Sequence, residues 1–157
     1  MTIIVVKDGM MCADSACTSG QLTAPVAFPK ITRLPNGWLL GGCGYTADIW
    51  SVFEWHRQGQ PSKHPTLIGS DKDTEVDFLI MKPDGSVWRN TKGVDGLYPV
   101  QSTFAIGESS ACNVAEAAMR LGKSAEEAVA LACEMCVSIY GPVQVERLHP
   151  ALAEAAE

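Results

Sequence analysis

The start of the chain has the pattern of a β-hairpin, and this pattern constrains the fold more than any other feature. Residues 2–6 are a run of Thr, Ile and Val of strand type, and residues 7–9 (Lys, Asp, Gly) supply turn chemistry. Residues 10–14 then return as a second strand that ends in Asp14. The register of the hairpin decides which N-terminal residue lies beside this carboxylate.

Two registers are open. A three-residue loop with Gly9 in the left-handed conformation pairs Thr2 with Asp14. A two-residue Asp8–Gly9 turn instead pairs Ile3 with Asp14 and puts Thr2 on the other face. In the first register a hydroxyl amino acid lies beside a carboxylate, and a Thr that becomes the first residue can use its own α-amine as the base for its hydroxyl.

Lys30 occupies an inward-facing position on the next strand. Residues 28–34 alternate so that Phe28, Lys30 and Thr32 share one face. In isolation this lysine would be interpreted as a surface residue with an apolar stem. An inward lysine is costly unless it is paired, and Asp14 on the neighbouring strand is the available partner. These residues alone leave a surface lysine and an Asp14–Lys30 ion pair both open; the family resemblance given below implies the pair, facing Thr2 across a cleft.

The glycine-rich segment 41–44 precedes a helix that we expect over about 47–58. It lacks the Gly-Lys-Ser/Thr of a phosphate loop, so that interpretation is weak. A glycine before a helix exposes backbone N–H groups that suit a developing oxyanion.

The later elements alternate between strands and helices. We expect a hairpin over 77–90, a strand over 98–106, and two helices separated near Gly122, the second opened by a capping box at residues 124–127. A strand over 143–148 closes the series. This order suits an α+β fold in which two antiparallel sheets pack between helices, a four-layer αββα sandwich.

Length and composition set the remaining bounds. With 157 residues and 46% hydrophobic content, the sequence predicts one domain over 1–148 and a short tail over 149–157. The net charge of −6 without a basic cluster argues against nucleic acid or an anionic membrane as partner. No membrane span or signal-peptide pattern is present in the sequence, so we expect a cytoplasmic protein.

The six cysteines are interpreted as buried free thiols rather than a disulfide scaffold. Cys133 and Cys136 have the spacing of metal ligands, but no second Cys or His pair completes a four-ligand set. His56, His64 and His149 are scattered and lie beside no Ser or Cys that would make a triad. We expect no metal site.

Four segments together carry a family resemblance. They are similar to the core of proteasome β-type N-terminal-nucleophile hydrolases, and most similar to HslV-type threonine peptidases. The resemblance covers most of the chain, from residue 2 to about Leu148. The segments are 13–20 (Ala-Asp-Ser-Ala-Cys-Thr-Ser-Gly), 29–34 (Pro-Lys-Ile-Thr-Arg-Leu), 41–48 (Gly-Gly-Cys-Gly-Tyr-Thr-Ala-Asp) and 106–110 (Ile-Gly-Glu-Ser-Ser).

The resemblance implies a catalytic set. Thr2 would be the nucleophile after removal of Met1. Asp14 matches the aspartate that orients the lysine, and Lys30 matches the lysine that lowers the proton affinity of the nucleophile. Gly44 matches the oxyanion donor, and the serine that hydrogen-bonds near the terminal amine is matched by Ser110.

The resemblance also implies a substrate site and partners. Cys17, Phe28, Gly42 and Thr46 match positions that line the pocket beside the nucleophile, and the backbone of Thr18 would pair with a peptide strand. The substrate would be a peptide or unfolded protein, and no metal or organic cofactor is needed. A homo-oligomeric ring and an ATP-dependent unfoldase are the implied assembly and partner. The alternatives are a non-catalytic ring-forming relative that keeps Met1, and an amidase for small amides.

The sequence departs from the family at three places. The hairpin is shorter by about four residues, and because an even shortening keeps Thr2 on its face we expect the Thr2–Asp14 register. Glu108 stands where the family has a small residue and would bring a negative charge near the site. Residues 59–72 form a polar loop in place of a second long helix. This thinned layer should leave apolar residues of the first helix for a neighbouring subunit to cover, namely Ile49, Trp50, Val52 and Phe53.

Overall fold

The computed structural model describes residues 1–19, 22–23, 28–61, 65, 76–91 and 97–149, and it confirms the predicted α+β sandwich. Two antiparallel sheets pack face to face, with helices on their outer faces. The strands are β1 (Ile3–Lys7), β2 (Met10–Ala13), β3 (Thr18–Ser19), β4 (Leu22–Thr23), β5 (Ile31–Arg33), β6 (Leu39–Cys43), β7 (Asp77–Met81), β8 (Val87–Thr91), β9 (Tyr98–Val100), β10 (Phe104–Gly107) and β11 (Gln144–Arg147). The helices are α1 (Thr46–Arg57), α2 (Ser109–Arg120) and α3 (Ala125–Met135).

The first sheet has the order β10-β1-β2-β11, and β1 lies in its interior. Residues 3–6 are all fully buried because both faces of the sheet are covered. Ile3 and Val5 pack under α2 and α3, whereas Ile4 and Val6 face the second sheet. A strand covered on both sides is expected to be a continuous apolar run, as this one is.

The second sheet has the order β5-β6-β7-β8-β9 and carries α1 on its outer face. Ile49, Val52 and Phe53 are almost fully buried against this sheet. The expectation that these three residues would lie exposed is wrong, because the sheet itself covers them. Trp50, which points away from the sheet, is 44% exposed.

The hairpin adopts the register that we did not favour. Asp8 and Gly9 have φ angles of 50° and 74°, so they form a two-residue turn of the type that matches strand twist. Ile4 pairs with Ala13, which leaves Ile3, not Thr2, opposite Asp14. The expected Thr2–Asp14 pairing is therefore wrong by one residue. Side chains alternate along a strand, so Thr2 lies on the same face as Ile4 and Val6, which face the space between the two sheets.

The start of α3 and the end of α2 lie where their sequence signals predict, and α3 ends at Met135. The Ser124 side chain accepts from the Glu127 N–H at 3.1 Å, and the Glu127 carboxylate accepts from the Ser124 N–H at 2.8 Å. Gly122, with φ of 94°, follows the end of α2. The Lys7 ammonium also donates to the carbonyl of Met119 at 3.1 Å, near the end of this helix. These contacts fix the helical layer above β1.

Two predictions fall wholly or largely outside the described residues. Of the loop predicted over 59–72 in place of a second outer helix, residues 62–64 and 66–72 lie outside the described residues, and so does the tail beyond residue 149. The domain bounds 1–148 stay a prediction. Within the described ranges, no helix is both long and apolar enough to cross a membrane.

Replacing the capping serine tests the helical layer. Ser124→Ala should lower the free energy of unfolding by about 1 kcal/mol, because the N–H of Glu127 loses its acceptor. Urea denaturation measures this change. Ser51→Ala in α1 is the control, since Ser51 is exposed inside its helix and the change there should stay within about 0.5 kcal/mol. Equal losses for the two variants would contradict the assigned cap.

Candidate active site

The predicted ion pair between Asp14 and Lys30 is present and buried. The Lys30 ammonium donates to both carboxylate oxygens of Asp14 at 2.9 Å, and the two side chains are 4% and 0% exposed. The same ammonium donates to the carbonyl oxygen of Met1 at 3.0 Å. A lysine ammonium has three N–H donors, so Asp14 and the Met1 carbonyl provide one acceptor for each.

Asp14 is held by the backbone as well as by Lys30. Its Oδ1 accepts from the N–H of Ile3, and its Oδ2 accepts from the N–H of Ala16, both at 2.9 Å. These bonds are possible because β2 ends at Ala13. Asp14 thus leaves the strand ladder, and its side chain bonds backbone groups on both sides. Each carboxylate oxygen therefore accepts one hydrogen bond from a backbone N–H and one from Lys30, and these bonds offset the cost of burying the charge.

The backbone around Lys30 is fixed by Gln144 at the start of β11. The side-chain oxygen of Gln144 accepts from the Lys30 N–H at 2.9 Å, and its amide nitrogen donates to the Phe28 carbonyl at 2.7 Å. The Lys30 carbonyl accepts from the Gly42 N–H at 3.0 Å. Sequence reasoning missed Gln144, because a polar residue at the start of a strand does not show which distant backbone groups its side chain will hydrogen-bond.

Thr2 and Lys30 line the same small cavity, of about 80 Å³. Asp14 lies behind Lys30, away from the cavity. The structure thus brings together six of the residues singled out from the sequence. The cavity is lined by Met1, Thr2, Ala16, Cys17, Phe28, Lys30, Gly44, Thr46 and Ile49.

Gly44 lies between the end of β6 and the start of α1, where the cavity meets solvent. Its φ of 129° lies in a region that residues with a Cβ rarely adopt. Gly44 therefore contributes only backbone atoms to the cavity wall, and these lie next to the positive end of the α1 dipole.

The other sequence-derived candidates lie outside the cavity wall. Gly42 is buried in β6, and its N–H donates to the Lys30 carbonyl. Thr18 lies in β3, opposite Thr23 of β4. Ser110 is exposed in the first turn of α2, where its N–H donates to the Glu108 carboxylate at 3.1 Å. Their proposed roles remain predictions.

Gly107 allows β10 to approach the start of β1 closely. Its φ is 122°, and a Cβ at this position would overlap the carbonyl oxygen of Thr2. The next residue, Glu108, donates its backbone N–H to that same carbonyl at 2.9 Å. Only a glycine fits this approach, and the sequence pattern alone did not single it out.

Glu108 turns its carboxylate onto the first turn of α2. The two oxygens accept from the N–H of Ala111 at 2.8 Å and from the N–H of Ser110 at 3.1 Å. These hydrogen bonds, that from Ala111 foremost, hold the pKa of Glu108 below its usual range. The carboxylate is an N-cap, which explains how a negative charge is tolerated at this position.

Four of the six cysteine thiols are poor nucleophiles because burial raises their pKa values. Burial raises the pKa of Cys12 to about 12 and the pKa values of Cys112 and Cys133 to about 11. Burial also raises the pKa of Cys43 well above its usual value. These four thiols stay protonated at neutral pH, which disfavours both attack and metal ligation. Within the described ranges, no three His, Cys, Asp or Glu residues are grouped as metal ligands.

A larger cleft of about 710 Å³ lies elsewhere, between α2 and the connection from β9 to β10. None of the residues singled out from the sequence lines it. Its lining residues are Val100, Gln101, Thr103, Phe104, Glu116, Met119 and Arg120.

Comparison with known proteins bears on the fold. The structure is similar to the crystal structure of eukaryotic HslV from Trypanosoma brucei, with a TM-score of 0.60 and 22% sequence identity. The match covers 93% of this chain and 98% of that one. No model of a known protein family matches the sequence, and no curated protein matches it. The chain thus has a proteasome-type fold, in agreement with the topology above.

A double-mutant cycle tests the buried ion pair. Lys30→Met should cost about 3–5 kcal/mol of unfolding free energy, because Asp14 is left buried without its cation. Combining it with Asp14→Asn should cost less than the sum of the single changes. Urea denaturation measures all three variants.

The control for the cycle is Lys123→Met, whose ion pair with Glu127 is exposed and should contribute at most about 1 kcal/mol. A cost for Lys30→Met no larger than that of the control would contradict a structural role for the pair.

Gly107→Ala tests the close approach of β10 to Thr2. The variant should lose more stability than Gly122→Ala, because both glycines have positive φ but only the Cβ at Gly107 would meet backbone. The φ strain alone costs about 1–2 kcal/mol, so the excess reports the overlap with Thr2. Thermal unfolding of the two variants makes the comparison. Equal losses would show that β1 moves away without cost.

Proposed function

We propose that the chain is a proteasome-like threonine peptidase in which the hydroxyl of Thr2 is the nucleophile after removal of Met1. One observation carries the proposal. A buried lysine, paired with Asp14, lines the cavity that contains Thr2, and its third N–H lies on the Met1 carbonyl. That carbonyl belongs to the peptide bond whose cleavage would free the Thr2 amine.

Removal of Met1 changes what Lys30 contacts. The ammonium keeps its two bonds to Asp14 and loses its third acceptor. The freed N–H of Lys30 then donates a hydrogen bond to the Thr2 hydroxyl, which lies in the same cavity. A cation beside a hydroxyl favours its deprotonated form, so Lys30 lowers the free energy of the attacking alkoxide.

The free α-amine of Thr2 acts as the base. It takes the hydroxyl proton as Oγ attacks the peptide carbonyl, and it returns that proton to the leaving amine. Gly44, beside the N-terminus of α1, offers its N–H to the developing oxyanion. The resulting ester on Thr2 is released by water, with the same amine as base.

The lining of the cavity supports a small or medium apolar side chain at the cleaved bond. Ala16, Cys17, Phe28 and Ile49 provide apolar surface, and Thr46 adds a hydroxyl at the rim. The short strand β3, which contains Thr18, is proposed to add a peptide strand through its backbone. The substrate class is an extended peptide or an unfolded protein.

Assembly into a homo-oligomeric ring belongs to the same proposal. Support comes from the proteasome-type fold and from exposed apolar side chains. Trp50 is 44% exposed, Met135 is 64% exposed, and Val137 is fully exposed. Large exposed apolar residues mark surfaces that associate. An ATP-dependent unfoldase that feeds the ring, in the cytoplasm, completes the proposal.

A non-catalytic ring-forming protein is the second candidate. It is favoured by the bond from Lys30 to the Met1 carbonyl, which occupies the ammonium when Met1 is retained. The two candidates differ in one measurable property, the N-terminal residue of the mature chain.

Covalent labelling tests the peptidase. Protein that begins at Thr2, checked by intact mass, should hydrolyse short apolar peptides and be labelled on Thr2 by a peptide epoxyketone, which needs both the hydroxyl and the free amine. Thr2→Ala should abolish labelling and lower turnover by at least about 10³-fold. Thr103→Ala, in the distant cleft, is the matched control and should retain full activity.

Protein with Met1 retained should show neither labelling nor turnover. Purification from the natural host with Met1 intact, and no labelling after its artificial removal, would overturn the peptidase in favour of the non-catalytic protein.

A further inference from the structure

Glu108 lies beside Thr2, just beyond the paired ends of β10 and β1. Ile3 pairs with Gly107, the last residue of β10, and Glu108 follows as the N-cap of α2. The backbone confirms this position, since the Glu108 N–H donates to the Thr2 carbonyl at 2.9 Å. This hydrogen bond holds the backbone of Glu108 against that of Thr2.

The Glu108 carboxylate is fixed and ionised. Two backbone N–H groups of α2 bond its two oxygens and keep its pKa low, so it carries a full negative charge at neutral pH. The N-terminal ammonium of Met1 already lowers the pKa of this carboxyl, although by less than the hydrogen bonds do. Removing Met1 shifts the ammonium by one residue, about 3.8 Å, onto Thr2.

We propose that Glu108 is a positioning residue for the nucleophile, whose carboxylate holds the α-amine of Thr2 after Met1 is removed and stabilises the ammonium that forms when this amine takes the hydroxyl proton. The inference rests on the proposed function. It adds a role for a side chain at a position where the resemblance gives a small residue.

Three elements bring ionisable groups toward the amine. Asp14 comes from the end of β2, Lys30 from the segment before β5, and Glu108 from the junction of β10 with α2; the Cys17 thiol also lines the cavity. Asp14 is paired with Lys30, whose third N–H is directed to the Met1 carbonyl. Within the described ranges Glu108 forms no ion pair with a basic side chain, so its charge is the one left to act on the amine.

The charge of Glu108 has a defined effect on pH dependence. A carboxylate near an amine favours the ammonium, so it raises the pKa of the Thr2 α-amine above its ordinary value of about 7.7–8.0. The amine acts as a base only when neutral. The rising limb of kcat/KM against pH should therefore lie higher in the wild type than in a variant without this charge.

The experiment compares Glu108→Asp with Glu108→Asn in protein that begins at Thr2. Both residues are strong N-caps and differ mainly in charge, so α2 should keep its start in each. Relative to the Asp variant, the Asn variant should shift the rising limb down by about 0.5–1 pH unit, which is about 3- to 10-fold higher kcat/KM below the limb. Glu127→Gln, at the start of α3, is the control and should leave the limb unchanged.

A second measurement separates this inference from the proposed function. In protein labelled with ¹⁵N-threonine, the pH titration of the Thr2 α-nitrogen by NMR gives its pKa without any turnover. A lower pKa in the Asn variant than in the Asp variant supports the role of Glu108, even if neither cleaves peptides. Identical titrations overturn the inference, even if both are active peptidases. Circular dichroism establishes that each variant is folded.

Discussion

The buried ion pair between Asp14 and Lys30 is the interaction on which the site depends. Two charges with almost no exposure must be satisfied, and the bonds that satisfy them join separate parts of the chain. The Asp14 carboxylate accepts hydrogen bonds from the N–H groups of Ile3 and Ala16, and the Lys30 ammonium donates to the Met1 carbonyl. The pair thus fixes the N-terminus against the edge of the second sheet. A change that leaves either charge unpaired affects stability and the site together.

Much of this arrangement could be predicted from local patterns. Most of the order of strands and helices and the capping box at Ser124 follow from periodicity and short-range chemistry, but the single strand predicted over 98–106 is wrong, because β9 and β10 belong to different sheets. The Asp14–Lys30 pair follows from the cost of an unpaired inward charge together with the family resemblance. The predicted hairpin register was wrong because residues 7–9 suit both a two-residue and a three-residue loop. The two-residue turn forms because both Asp8 and Gly9 adopt positive φ angles. Thr2 still lines a cavity with Lys30, whose ammonium donates to the carbonyl of the preceding residue, Met1.

Other parts of the site depend on contacts that no local pattern contains. Gln144 bonds the backbone of Lys30 across 114 residues of sequence, and Gly107 meets Thr2 across a similarly long separation. The burial of Val52 and Phe53 was missed for a related reason. We expected a second outer helix to be needed as their cover, whereas the sheet beneath α1 already provides it. A helix buries its apolar stripe against whichever layer is nearest, and the sequence does not show how much of the stripe that layer covers.

In the mechanism that we propose, two charges act on different groups of Thr2. In a chain that begins at Thr2, Lys30 would favour loss of a proton from the hydroxyl, and Glu108 would favour gain of a proton by the amine. Both effects would favour transfer of the proton from Oγ to nitrogen, the step that would create the nucleophile. A carboxylate near an oxyanion would raise the barrier of the next step. The Glu108 oxygens are instead turned onto the N–H groups of Ser110 and Ala111. In the proposed mechanism, the N-cap of α2 would therefore let Glu108 act on the amine without opposing the oxyanion.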